Sequence, residues 1–327
     1  MSSQTKPFRP RGTLWTSLLA AASLLMAGAA LADTTVRIGF QKSSTLITLL
    51  KTQGSLEQAL AGQGVKVSWH EFPSGLPLLE ALNVGNVDFS ADVADTVPVF
   101  AQAAGARLTY VAQEAPSPSA QAILVHAGSD IAQLADLKGK RVAVTKAAGS
   151  HYLLIQALSS AGLSFADIRP SYLTPADGRA AFENGNVDAW VTWEPFLTSA
   201  QRQLDTRILA DGRNGLADYQ RYYLSSVRFA ERHPDIVATL FNELQRSGEW
   251  LRSNPEQAAT ILGPLWGGLD VATVTAANRK RSYEVRLVEP ASLAEQQQIA
   301  DVFHAEGLLP ARVDARDVSI WAPESRP

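Results

Sequence analysis

The sequence predicts an α/β fold in which two lobes of one design face each other across a cleft. The first observation behind this is a tetrapeptide, Gly85-Asn86-Val87-Asp88, that returns as Gly185-Asn186-Val187-Asp188. Each copy follows an apolar helix end, Ala81-Leu82 or Ala181-Phe182, and each precedes a proline-containing segment, Thr96-Val97-Pro98 or Trp193-Glu194-Pro195. The second is upstream: Arg37-Ile38-Gly39-Phe40-Gln41-Lys42 has a counterpart in Arg141-Val142-Ala143-Val144-Thr145-Lys146. The third is a steady alternation of short β-rich runs with amphipathic helical stretches, the order of βαβ units. Self-similarity at such a spacing marks two supersecondary units of the same kind.

Taken in order, Val36 to Phe40 reads as a strand, and Leu46, Leu49, Leu50, Leu56 and Leu60 give the next stretch a helical stripe. Val65 to Phe72 is a strand, Leu76 to Val84 a helix ended by Gly85, Val87 to Ser90 a strand, Pro98 to Ala104 a helix and Leu108 to Ala112 a strand. Pro116 and Pro118 break the pattern, and Gln121 to His126 is a strand placed to cross between lobes. The second unit follows with strand Arg141 to Thr145, helix Ser150 to Ser160 and strand Ile168 to Leu173. Helix Pro175 to Glu183, with proline at its start, and strands Val187 to Thr192 and Thr206 to Leu209 complete it. Tyr222 to Val227 is predicted to return to the first lobe. Helices Pro234 to Arg252, Pro255 to Leu262, Val271 to Lys280 and Ser292 to Glu306 have no second copy and are expected to clad that lobe. Two crossovers, near 116–126 and 215–224, then form the hinge.

The N-terminus has the layout of a secretory signal: Lys6, Arg9 and Arg11, an apolar run from Leu14 to Ala30, and an A-x-A site at Ala30-Leu31-Ala32. The expected mature chain runs from Asp33 to Pro327, as an exported and periplasmic product. Setting those three cations aside from 29 basic residues leaves 26 against 32 acidic ones, a net charge of −6. Such a surface argues against nucleic acid or anionic membrane as partner. The chain has no cysteine, which excludes disulfides, thiolate metal sites, a cysteine nucleophile and a lipid-anchored cysteine together.

In open α/β sheets ligands bind beyond the carboxyl ends of strands, where helix N-termini aim unpaired N–H groups into the crevice. The loops after the first strand of each unit are therefore the first candidates: Gln41, Lys42, Ser43, Ser44 and Thr45 in one, and Thr145 to His151 in the other, including Gly149, Ser150 and His151. Both are small and rich in hydroxyls, a composition suited to an oxyanion; each serine alone also reads as an ordinary helix cap. Lys42 and Lys146 read as solvated, and His151 reads equally as packing. Trp193 is placed to stack on an apolar ligand body or to pack at the hinge, whereas Trp190 reads as core. Asp92, Asp95 and Thr96 occupy the matching loop of the first lobe, where carboxylates would repel a bare anion and pair with an amine. Asp88 and Asp188 read as structural turn residues. No motif for bond-breaking chemistry is present, and reversible capture is the simpler reading.

Over nearly the whole mature chain, Arg37 to Lys42, Glu80 to Asp88, Pro98 to Gly105, Tyr172 to Asp177 and Gly185 to Trp190 with Trp193-Glu194-Pro195 resemble periplasmic aliphatic sulfonate-binding proteins of ABC importers. Taurine, nitrate and thiamine-precursor binders are related at lower similarity. The resemblance implies a two-lobed type II periplasmic-binding-protein fold: signal 1–32, first lobe 33–120, second lobe 121–221, and first lobe again from 222 to 327. It implies binding loops at Gln41 to Ser44, around Asp95 and Thr96, at Gly149 to His151 and at Trp193, with no cofactor and no metal. The segment between Asp88 and Pro98 is one residue longer than the family's common pattern. The expected ligand is an alkanesulfonate, the expected partner an ABC permease of the inner membrane, and the expected state a monomer. The alternatives are taurine, nitrate or another small anion or heterocycle on the same fold, and a sulfinate-cleaving enzyme, whose chemistry resembles cysteine catalysis.

Overall fold

The computed structural model describes residues 1–5 and 34–323. The predicted leader from Leu14 to Ala30 and its cleavage motif lie outside the described residues. Among those described, no helix is long and apolar enough to cross a membrane.

The first unit comprises β1 (Thr34–Gln41), α1 (Thr45–Gln53), α2 (Ser55–Ala61), β2 (Val65–Phe72), α3 (Gly75–Asn83), β3 (Phe89–Ala94), α4 (Thr96–Ala103) and β4 (Leu108–Glu114). The second comprises β5 (Gln121–His126), β6 (Arg141–Val144), α5 (Gly149–Ser160), β7 (Arg169–Tyr172), α6 (Pro175–Glu183), β8 (Ala189–Trp193), α7 (Phe196–Gln203) and β9 (Thr206–Asp211). The remainder is β10 (Arg221–Ser226), α8 (Val227–Arg232), α9 (Pro234–Ser253), α10 (Pro255–Leu265), α11 (Val271–Asn278), β11 (Val285–Arg286), α12 (Leu293–Ala305) and β12 (Ser319–Ile320).

Two sheets result, ordered β11-β4-β10-β3-β1-β2, with β12 also on β4, and β7-β6-β8-β5-β9. Their cores share one plan. In the first, β1 and β3 are parallel and β10 enters antiparallel between β3 and β4. In the second, β6 is parallel to both β7 and β8, and β5 enters antiparallel between β8 and β9. Each sheet thus receives its one inserted antiparallel strand from a crossover: β5 arrives from the first sheet, and β10 returns from the second. The two crossovers run side by side, joined by Ser117 N–H to Asp218 O at 2.9 Å and Gly212 N–H to Pro118 O at 3.0 Å.

The repeated tetrapeptide has the same role twice. Gly85 and Gly185 end α3 and α6 in the left-handed region, at φ +78° and +68°, where a side chain would be strained. The aspartate that follows clamps the first strand of its own unit. Asp88 accepts Arg37 N–H at 2.9 Å and its guanidinium at 2.6 and 2.9 Å; Asp188 accepts Arg141 N–H at 2.7 Å and its guanidinium at 2.7 and 3.2 Å. Because these aspartates serve as brackets, β3 and β8 begin two residues later than predicted, and they run on to Ala94 and Trp193.

The cladding prediction needs a correction. Helices α9 and α10 cover α1 and α2 of the first unit, with Leu240, Leu244, Leu251, Ala258 and Leu262 buried against Leu46, Leu49 and Leu56. Helix α11, however, also packs on α7 of the second unit. Helix α12 sets Phe303 against Phe100 at 4.8 Å and against His151 of α5 at 5.1 Å between ring centroids. Both are apolar on more than one side, so burying them requires contact with both units.

Candidate functional site

A cavity of about 20 Å³ lies between the two sheets, walled by Gln41, Ser74, Gly75, Leu76, Ala94, Val97, Thr145, Lys146, Ala148, Gly149, Trp193, Tyr219 and Arg221. Its position follows from topology. Strands β1, β3 and β8 end there, and α3, α4 and α5 begin there. The first-turn N–H groups of a helix have no partner within it and sit at the positive end of the macrodipole, so three helix starts converge on one space.

The loops close on one another through specific contacts. Thr96 Oγ1 donates to Ala147 O at 2.6 Å, and Trp193 Nε1 donates to Ser43 Oγ at 3.3 Å, each bond joining one unit to the other. At Gly149 a Cβ would lie 2.5 Å from the Tyr219 ring. Tyr219 is itself buried and bound through its hydroxyl to Arg221 Nη2 at 2.6 Å, so the first turn of α5 reaches the opposite wall only because residue 149 has no side chain.

Behind the wall lies a buried ionic network. Arg221 pairs with Asp92, and Arg281 meets Asp92 at 3.0 Å and both oxygens of Glu114 at 2.7 Å. Tyr223 adds a hydrogen bond to Glu114 at 2.7 Å. Burial and the facing guanidinium oppose the charge on Arg221, yet Tyr219, Asp92 and Glu114 hold its pKa above the usual arginine value. Arg221 also keeps a buried Nε with no partner among the described residues. No carboxylate lines the cavity; its lining carries the Arg221 guanidinium, which is paired with Asp92 behind the wall, together with Lys146 and the helix starts.

Of the predicted site residues, Gln41, Gly149 and Trp193 line this cavity. Ser43 holds the Trp193 indole, and Ser44 Oγ accepts the Gln41 N–H at 3.1 Å, so both shape the wall from behind. Thr96 bridges the units. Ser150 is buried in the first turn of α5 with its hydroxyl unpartnered among the described residues. Three expectations are corrected. Lys42 lies outside the cavity, on the far side of the Gln41 to Ser43 loop. Asp95 does not face a ligand: it is buried as the cap of α4, accepting Thr96 N–H at 3.0 Å and Gln220 N–H at 2.9 Å. Burial pushes its pKa up to about 7 against those bonds and the Arg221 charge.

His151 is the third. It is buried among Phe165, Tyr172 and Phe303, and its Nδ1 accepts Ala147 N–H at 3.3 Å. That bond holds the turn at Ala147, whose φ is +61°. Burial, with help from Lys146, lowers the imidazole pKa to about 3. Sequence reasoning missed Arg221, Tyr219 and the start of α3 at Ser74 to Leu76. The one available signal for Arg221 was a cation opening an otherwise apolar strand at the crossover.

Comparison with known proteins agrees with this architecture. Residues 60–258 match a family model described as NMT1/THI5 like. The chain is 41% identical over 288 residues to an aliphatic sulfonates-binding protein of Escherichia coli (strain K12), covering 88% of this chain and 89% of that one. It is similar to the solved alkanesulfonate-binding protein SsuA from Xanthomonas axonopodis pv. citri bound to MOPS, with TM-score 0.82, 38% identity, and coverage of 88% of this chain and 98% of that one. It is also similar to the periplasmic aliphatic sulphonate binding protein SsuA from Escherichia coli, with TM-score 0.78, 41% identity, and coverage of 86% and 96%. A desulfurization enzyme, DSZB, shares the fold alone, at 15% identity, TM-score 0.66 and coverage of 89% and 97%.

Proposed function

Because the chain belongs to the NMT1/THI5-like family and, within it, to the aliphatic sulfonate-binding proteins, we propose that it is the periplasmic substrate-binding component of an ABC importer and captures aliphatic sulfonates for sulfur supply. The observation that carries this reading is the donor-rich cavity. A sulfonate is ionised at every physiological pH and offers three acceptor oxygens. The starts of α3 and α5 point N–H groups into the cavity, and Lys146 and Arg221 line it with no carboxylate among them. The alkyl body needs an apolar wall, which Trp193, Leu76 and Val97 provide.

A cavity of about 20 Å³ is little more than one water wide, so a sulfonate enters only if the walls part. The paired crossovers at 115–120 and 212–220 are the proposed hinge, with the two sheets as the moving bodies. The protein acts as a monomer in this reading and delivers its ligand to an inner-membrane permease. Capture without turnover is supported by the similarity to binding proteins and by the lack of a thiol in the sequence.

Calorimetric titration of the mature protein with alkanesulfonates of increasing chain length, taurine and nitrate tests the reading. The expected result is saturable one-to-one binding of alkanesulfonates in preference to nitrate. Heat from nitrate alone, or sulfite release from an alkanesulfinate, would replace it.

A further inference from the structure

In the stretch Trp193-Glu194-Pro195 the tryptophan lines the cavity, and the glutamate beside it does something else. Its side chain is buried and accepts the Thr198 N–H of α7 at 3.1 Å and the Thr198 hydroxyl at 2.7 Å. The Glu194 N–H donates to Ala120 O of the first crossover at 2.9 Å. Residue 194 is therefore fixed to its own helix and to the crossover before any partner from the first unit is counted.

That partner is Lys280, just past the end of α11. Its Nζ donates to Glu194 Oε1 at 2.7 Å, Thr198 Oγ1 at 3.0 Å and Gln201 Oε1 at 3.2 Å. An ammonium has three donors, and here all three go to the β8–α7 segment of the second unit. The residues on either side of Lys280 are anchored elsewhere. Helix α11 buries Val274 in the core of the first unit, and Arg281 is held by Asp92 and Glu114. Ser282 donates to Ala115 O at 2.9 Å. Lys280 is thus an arm with rigid backing in one unit and its charged end in the other. Burial pushes the Glu194 pKa above the ordinary glutamate value, and Lys280 and Thr198 act against that rise. The other two side-chain bonds between the units, from Thr96 and from Trp193, are neutral, and a charge-assisted bond is roughly twice as strong as a neutral one.

We propose that Lys280 and Glu194 are positioning residues for capture: a latch between the units, made when they close on a ligand and broken when they part, that holds Trp193 at the cavity wall. This rests on the sulfonate reading above and adds to it the pair that sets how long a captured ligand stays. Parting the sheets separates Lys280 from all three of its acceptors at once and returns both charges to water. Closing them restores the bonds one residue away from Trp193, so the latch and the wall that covers the ligand form together.

Calorimetry and stopped-flow release of hexanesulfonate test this on the mature wild type, Lys280→Met, Glu194→Gln, the double variant and Lys140→Met. Glu194→Gln keeps the size of the buried side chain and removes its charge. Lys140 is about as accessible as Lys280, 29% against 25%, but pairs with Asp130 inside its own unit. Lys280→Met is expected to weaken binding about tenfold, the worth of a charge-assisted hydrogen bond, through faster release with association little changed. The double variant is expected to lose no more than Lys280→Met, because the two residues act as one contact. Lys140→Met is expected to bind as the wild type does. A wild-type affinity in Lys280→Met, whatever its thermal midpoint, would show a brace present in both states and overturn the proposal. Additive losses in the double variant, or an equal loss in Lys140→Met, would overturn it as well. Failure of every sulfonate to bind the wild type would instead remove the sulfonate reading, and this proposal with it.

Discussion

At residue 149 a single missing Cβ decides how closely the two units approach, because its place is 2.5 Å from the buried Tyr219 ring. Overpacking of this kind costs about 1–3 kcal/mol. Gly149→Ala is therefore expected to weaken sulfonate binding about tenfold or more in calorimetry; an unchanged affinity would show that the approach at residue 149 does not govern capture. His151 gives a pH signature. Its folded pKa of about 3 lies below the ordinary histidine value of 6.5, so the unfolded chain takes up a proton that the native state refuses. Stability is then full above pH 6.5 and falls by at most about 1.4 kcal/mol per pH unit on descending toward pH 3. His151→Phe, which suits a pocket of Phe165, Tyr172 and Phe303, should flatten that part of the urea-midpoint profile between pH 6.5 and 4; an unchanged slope would show that other groups set it. The sequence made His151 a candidate because it opens a helix at the cleft. Which way the ring turns depends on Phe303, distant in the chain, and a local pattern carries no such information.

The elements differ in how much their ion pairs matter. Both Arg–Asp brackets are partly exposed: Arg37 and Asp88 are 39% and 13% accessible, and such pairs contribute about 0–1 kcal/mol. The pairs linking β3, β4, β10 and the segment after α11 are buried, with Arg281, Asp92 and Glu114 at 1%, 0% and 1%. Removing one partner there leaves a carboxylate buried without its counter-charge, at a cost of about 3–5 kcal/mol. Arg281→Met is accordingly expected to lower the urea midpoint far more than Arg37→Met; a loss of similar size in both would show that burial does not govern these pairs. The strands of this network were legible from their β-rich runs. The network was not, because Asp92 and Arg281 are 189 residues apart and only the return of β10 and the packing of α11 bring them together. The starts of β3 and β8 erred for a related reason: Asp88 and Asp188 spend their side chains on the neighbouring strand, so the chain turns extended only after them.

For the whole molecule, two sheets joined by paired crossovers and a cavity smaller than the proposed ligand imply opening and closing about 115–120 and 212–220. Small-angle scattering is expected to show a smaller radius of gyration on adding a saturating alkanesulfonate, and an unchanged radius would refute hinge capture. The repeated Gly-Asn-Val-Asp, the paired first strands and the unmatched C-terminal helices sufficed by themselves to give the α/β class, the duplicated plan and the loops worth inspecting. Those follow from periodicity and self-similarity, which are local properties of a chain. Which donors face the cavity, that Arg221 joins them, that Asp95 and His151 turn away, and that α11 and α12 span both units were decided only in three dimensions. A side chain's direction is set by what packs behind it, and here those partners come from the far end of the sequence.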